Sequence, residues 1–190
     1  MSFSQIEEKA KQGCTDAQFQ LGLLYSEGYG TGVDKKQAFY WFEKSARQGN
    51  AQAQFQLGAM YRKGEGTAVD KKQAFYWYQK SAEQGDAYAQ NHLGVMYHKG
   101  QGTAVNEKQA FYWYQKSAKQ DHAHAQHHLG EMYYKGKGTG VDKEQALDWY
   151  QKSAEQGLEQ AQLDLGLYWI EKSCENGNQK AKRIWESYNY

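Results

Sequence analysis

In the segment from 50 to 64, NAQAQFQLGAMYRKG, Ala53, Leu57, Met60 and Tyr61 follow the i, i+4, i+7, i+8 spacing that forms one stripe on an α-helix. Polar residues fill the positions between them, so this helix, A, is amphipathic. The segment GEGTAVD then breaks the period, and Gly64 and Gly66 supply the positive φ angles that a tight turn requires. Asp70 predicts the N-cap of a second helix, B. Gln73, three residues on, completes a capping-box pattern that recurs as DKKQ, NEKQ and DKEQ. Ala74, Trp77, Tyr78, Ser81 and Ala82 form the buried stripe of B, and Gly85 ends it as a C′ residue.

This helix hairpin recurs along the chain. Leu-Gly stands at 21–22, 57–58, 93–94, 129–130 and 165–166, a step of 36 residues, and Trp41, Trp77, Trp113 and Trp149 keep the same step. A period of this size predicts stacked supersecondary units that cannot bury their apolar faces alone. The ends depart from it. Residues 5 to 12 supply only the tail of a helix B, with Ala10 in the register of Ala46. Near the other end Trp169 follows Trp149 after 20 residues. Ala161, Leu165, Tyr168 and Trp169 nevertheless keep helical spacing, which predicts one longer helix from about Glu159 to Glu175. A turn at Gly177 then leads to a closing helix with Ala181, Ile184, Trp185 and Tyr188. Trp185, Tyr188 and Tyr190 are alternatively free to contact another chain.

The pattern AxAxFxLGxMYxxGxGTxVDxxQAxxWYxKSAxxG resembles the Sel-one-like repeat (SLR), a relative of the tetratricopeptide repeat, over roughly residues 5 to 185. The resemblance implies an all-α fold, a right-handed α-solenoid superhelix of stacked αα-hairpins that works in protein complexes and shares no catalytic residues. The expected organisation is one solenoid domain over 1–190: a half-repeat cap at 1–12, four repeats over 13–156, and a shortened fifth repeat with capping helices over 157–190. The cysteine pair per repeat of secreted family members is absent.

Composition narrows the function classes. Charged residues make up 24% with a formal net charge of +1, and no polybasic or polyacidic run appears, which disfavours nucleic acid and membrane surfaces as partners. Proline is absent and Tyr (16) and Trp (6) are abundant, which suits thin helical layers with amphipathic aromatics. No signal-peptide pattern or bilayer-length apolar run is seen, so a cytoplasmic location is expected. Cys14 and Cys174 form no disulfide framework and have no neighbour spaced to activate a thiol.

Positions that change from repeat to repeat are free for recognition. On helix A one sector lies opposite the packing face, and in hairpin solenoids it lines the concave groove. Along the array it reads Asp16, Gln20, Leu23 and Glu27; Gln52, Gln56, Ala59 and Lys63; Tyr88, His92, Val95 and Lys99; His124, His128, Glu131 and Lys135; and Gln160, Asp164 and Leu167. Amides, a phenol, imidazoles and lysines are suited to hydrogen-bonding a segment of another protein.

The segment DHAHAQHHLG, from 121 to 130, concentrates histidines there. His124 and His128, at i and i+4, form the one candidate metal pair. Neighbouring A helices pack about 8–10 Å apart, which places His128 within reach of Asp164 or Glu131. The favoured reading is a hydrated imidazole patch, because a catalytic zinc takes three fixed ligands and these side chains are expected to project into open solvent. Asp121, where other repeats carry glycine, is expected to be the softest junction. The GxGT loops lack the GK[ST] continuation of a phosphate loop, and the FYWY runs have core spacing without a basic stripe.

These readings predict a non-enzymatic scaffold that binds a protein or peptide in its groove, with no cofactor, no nucleic-acid or membrane partner and a monomeric default. Alternatives are an inhibitor or immunity protein that neutralises a toxic effector, implied by the resemblance to bacterial relatives, and a hydrolase or metal-dependent enzyme that uses the histidines.

Overall fold

The structure, a computed structural model, describes residues 1–188, of Tyr188 the backbone alone; the Tyr188 side chain and Tyr190, named above as possible contacts, lie outside the described residues. It contains helices α1 (Phe3–Lys11), α2 (Thr15–Glu27), α3 (Lys35–Arg47), α4 (Ala51–Lys63), α5 (Lys71–Glu83), α6 (Ala87–Lys99), α7 (Glu107–Ala118), α8 (Ala123–Lys135), α9 (Lys143–Glu155), α10 (Glu159–Glu175) and α11 (Gln179–Tyr188). No strand occurs among the described residues. Two compact units divide the chain, one from Met1 to Trp113 and one from Tyr114 onward.

In the first unit α2/α3 and α4/α5 are the predicted A/B hairpins. Ala74, Trp77, Tyr78, Ser81 and Ala82 are the buried residues of α5, and Ala53, Leu57 and Met60 are buried on α4. At the Leu-Gly step A and B approach too closely for a side chain: a Cβ on Gly58 would lie 2.9 Å from the Tyr78 ring, and one on Gly22 would lie 2.6 Å from the Phe42 ring. The hairpin is tied at its open end by B-helix serines, with Ser45 donating to the Thr15 carbonyl and Ser81 to the Ala51 carbonyl at 2.8–2.9 Å.

The capping at the start of helix B differs from the expected box. Asp34 and Asp70 do cap, each carboxylate accepting from the N–H groups two and three residues on. Their own N–H groups, however, donate to the carbonyls of Tyr25 and Tyr61 at 2.9 Å, closing the A–B turn. That donor is therefore already engaged, and the Gln at the third position has nothing to receive. The reciprocal box forms instead at Ser2 and Gln5, where the Ser2 N–H donates to the Gln5 side chain at 2.9 Å.

Successive hairpins are joined by buried glutamines. Gln18, Gln54 and Gln90 donate to the carbonyls of Ala10, Ala46 and Ala82, the last buried alanine of the B helix before each. Gln48 and Gln84 then donate to Gln18 and Gln54. Every buried amide in this ladder has a partner, as burial of a polar group requires.

The second unit holds α8/α9 and the long α10, which ends at Glu175 as the spacing predicts and turns through Gly177 into α11. Ala161 and Tyr168 are buried on α10 and Ala181 on α11. Trp169 and Ile184, expected on the packing face, are instead about half exposed, at 51% and 52%. Trp169 stands edge-on to Tyr168 with the Lys172 ammonium 5.3 Å above its ring. Without the first half of a helix B opposite it, a Cβ on Gly166 of the fifth Leu-Gly step would meet no neighbouring atom within 4 Å.

An acidic line on α10 anchors this helix. Tyr134 donates to Glu171 at 2.6 Å, and Lys143 bonds Glu171 and Glu175 at 3.1 and 3.2 Å. Burial and the Glu171 carboxylate push the Tyr134 phenol up to about 12. A phenol whose folded pKa exceeds its unfolded value of about 10 favours folding while it is protonated. The contribution is complete below pH 10 and disappears as pH rises from 10 through 12. Tyr134→Phe is thus expected to lower stability by about 1–2 kcal/mol at pH 8, from the loss of a bond to a charged acceptor. In urea titrations the gap from wild type should close as pH approaches 12; a gap independent of pH would refute the assignment.

Candidate functional site

On the first unit the A-helix sector is an accessible polar face with an aromatic centre. Asp16, Gln20, Gln52, Lys63, Tyr88 and Lys99 are exposed, while Gln56, His92 and Val95 are partly buried. His92 is partly buried because its ring lies flat on Tyr78, 5.0 Å away at 16°. Phe55, 5.8 Å from His92 and 6.2 Å from Tyr88, completes an aromatic platform, and the Tyr88 side chain stands above it, the residue 62% exposed. Phe55 was not among the predicted residues, since its place one position before Gln56 reads as the edge of the packing stripe.

On the second unit His124, Lys135 and Gln160 are exposed, and His128, Glu131 and Asp164 are partly buried. His122 serves the helix itself, as the N-cap of α8 whose Nδ1 accepts from the Ala125 N–H at 3.3 Å, just as Asn50 caps α4. His124 remains outside, its ring 6.0 Å from that of His122. His128 packs on the Tyr114 ring at 4.8 Å, and its Nδ1 is 3.4 Å from Glu131 Oε2. Lys135 bonds the other Glu131 oxygen at 2.7 Å. These two contacts, His128 first, bring the Glu131 carboxyl down to about 2.

His127 corrects the expectation that all these imidazoles project into solvent. It is only 7% exposed, its ring 5.8 Å from Tyr150 and its Nε2 2.6 Å from Asp164 Oδ2. One residue along a helix turns a side chain by about 100°, which carries His127 off the open sector and against α9 and α10. It is thus His127 that meets Asp164, while His128 meets Glu131. Burial, then the Asp164 and Glu131 charges, push the Tyr150 phenol up.

The candidate metal pair changes accordingly. The donor atoms that converge are one each from His127, His128 and Glu131, all within 4.8 Å of one another, and His124 is not in the group. Asp121 adopts φ 58, alone among the described non-glycine residues, and its carboxylate accepts from Gln126 at 3.4 Å.

Capped αα-hairpins that recur every 36 residues, tied by a shared serine and glutamine network, define an α-solenoid repeat protein. The chain belongs to the Sel1 repeat family, whose pattern matches residues 15–50, 51–86, 87–122, 123–158 and 159–178. A protective antigen of uropathogenic Escherichia coli with an SLR fold is 34% identical, with a TM-score of 0.85 over 97% of this chain. A Sel1 repeat protein from Oxalobacter formigenes is also 34% identical, with a TM-score of 0.78 over 86% of this chain. This chain spans 43% and 47% of the lengths of those two proteins. The immunity protein Pa5087 from Pseudomonas aeruginosa is similar in fold alone, at 24% identity and a TM-score of 0.52 over 84% of this chain and 59% of its own. No curated protein matches the chain. No described helix is long and apolar enough to cross a membrane.

Proposed function

We propose that the chain is a non-enzymatic interaction scaffold that binds a protein or peptide segment on the exposed sector of its A helices. The observation that carries this reading is the Tyr88 platform. A large aromatic side chain 62% exposed and backed by Phe55 and His92 is a preorganised anchor, the residue type and setting that dominate protein recognition. Gln52 and Gln56, at the registers of Tyr88 and His92 one repeat earlier, supply polar amides on the same sector, and Lys99 adds a charge at the far end of α6. On the second unit His124 and Gln160 offer the same kind of adaptable contact. The packing frame beneath recurs nearly unchanged, so recognition is carried by the residues that vary.

Tyr88→Ala and His124→Ala, alone and together, test the reading. Both residues are exposed, so melting temperature is expected to stay unchanged. In a quantitative pull-down the partner retained by wild type should fall at least about 10-fold with Tyr88→Ala, the loss expected of an anchor contributing about 1.4 kcal/mol or more. Equal recovery by all variants would remove this face as the binding surface.

A further inference from the structure

The histidine pair next to Asp164 carries a second, independent inference. His128 Nδ1 and Glu131 Oε2 stand 3.4 Å apart, and one nitrogen of His127 completes a triangle no wider than 4.8 Å. Zinc bonds of about 2.0–2.1 Å to nitrogen and oxygen place tetrahedral ligands roughly 3.3–3.4 Å from one another. Two of the three donors therefore already have the separation a metal demands, and the third needs a side-chain movement of up to about 1.5 Å.

We propose that His127, His128 and Glu131 bind a divalent transition cation of the zinc class, with Asp164 as the carboxylate that orients the His127 ring. Two imidazoles with a carboxylate are a donor set for such ions, and magnesium and calcium, which take oxygen ligands, are disfavoured. Asp164 supplies what bare surface histidine pairs lack. Asp164 holds His127 Nε2 at 2.6 Å, so Nδ1 is the nitrogen assigned to the ion, and a hydrogen bond from one ring nitrogen to a carboxylate fixes the tautomer and raises the basicity of the other. The ring is further held by burial beside Tyr150, and His128 is held on Tyr114. Lys135, on the second Glu131 oxygen, leaves Oε2 as the donor facing His128. With His128 and Glu131 each about one-third exposed, the remaining coordination position opens outward, available to water or to a partner's side chain.

The test uses untagged full-length protein carrying Cys14→Ser and Cys174→Ser, so that thiols cannot bind the ion. After chelator treatment and its removal, zinc is titrated by calorimetry. One ion per chain is expected. Glu131→Gln and His128→Asn should each weaken binding at least 10-fold, and Asp164→Asn about 10- to 100-fold, as loss of an orienting carboxylate does. His124→Asn, outside the donor triangle, should change it less than 2-fold. Far-UV circular dichroism confirms that each variant is folded, and if His128→Asn is not, Glu131→Gln decides alone. A stoichiometry near zero, affinity indifferent to Glu131→Gln, or a loss on His124→Asn equal to that of the donor variants would each overturn the site.

Discussion

Trp77→Ala is expected to destabilise the first unit by about 3–5 kcal/mol, the range for truncating a buried aromatic to alanine. The indole is 8% exposed and packs with Ala46, Ala53 and Leu57. Those partners belong to α3 and α4, the two helices that precede its own α5. One ring therefore joins two hairpins, in a cluster that also holds Phe39 and Tyr61. The indole N–H has no hydrogen-bond partner among the described residues. Trp77→Phe deletes that donor while keeping most of the ring, and should cost less than about 1.5 kcal/mol. Tyr76→Ala, one residue away and 47% exposed, should stay within about 0.5 kcal/mol. Urea denaturation followed by far-UV circular dichroism separates the three. Equal effects of Trp77→Ala and Tyr76→Ala would contradict this packing of helix B.

The helices were legible in the sequence because each carries its signal locally. Periodic apolar residues, an Asp or Asn cap and a glycine turn recur at fixed offsets, and even the lengthened α10 kept its spacing when the turn before it was lost. The residues left unassigned or misplaced are those whose role depends on a neighbouring hairpin. Gln18, Gln54, Gln90 and Gln126 look like surface amides in any one helix, yet each reaches an alanine carbonyl of the preceding B helix. Their unbroken recurrence was the available signal, since solvated positions drift and these do not. His127 failed for the same reason in reverse: it is one of several histidines in sequence, and what separates it from His124 is its packing against Tyr150 and Asp164, 23 and 37 residues later. The capping box failed because the pattern specifies a side chain and a cap, and is silent on whether the cap N–H is already bonded.

Gly66→Ala is expected to cost roughly 2–5 kcal/mol, combining about 1–2 kcal/mol for a left-handed alanine with about 1–3 kcal/mol for overpacking. The residue has φ 71, and a Cβ there would lie 2.1 Å from the Lys35 carbonyl oxygen at the start of α3. That obstacle is helix backbone, so no rotamer change relieves it; the turn must lift off the preceding hairpin, taking the Glu65–Lys35 ion pair with it. Gly102 repeats the contact against the Lys71 carbonyl, which makes the second turn glycine a stacking residue as much as a turn residue. Gly32 and Gly140 provide the contrast within the same loops. Neither has a positive φ, a Cβ on either would meet no neighbouring atom within 4 Å, and the two middle repeats already carry Ala68 and Ala104 at that place. Gly32→Ala and Gly140→Ala should therefore stabilise by about 0.4–1 kcal/mol through the unfolded chain. Opposite signs at positions two residues apart in the loop pattern are the expected result. If Gly66→Ala proved neutral, the glycine turns would serve only to reverse the chain, and the apposition of turn and preceding helix would have to be abandoned as a source of stacking.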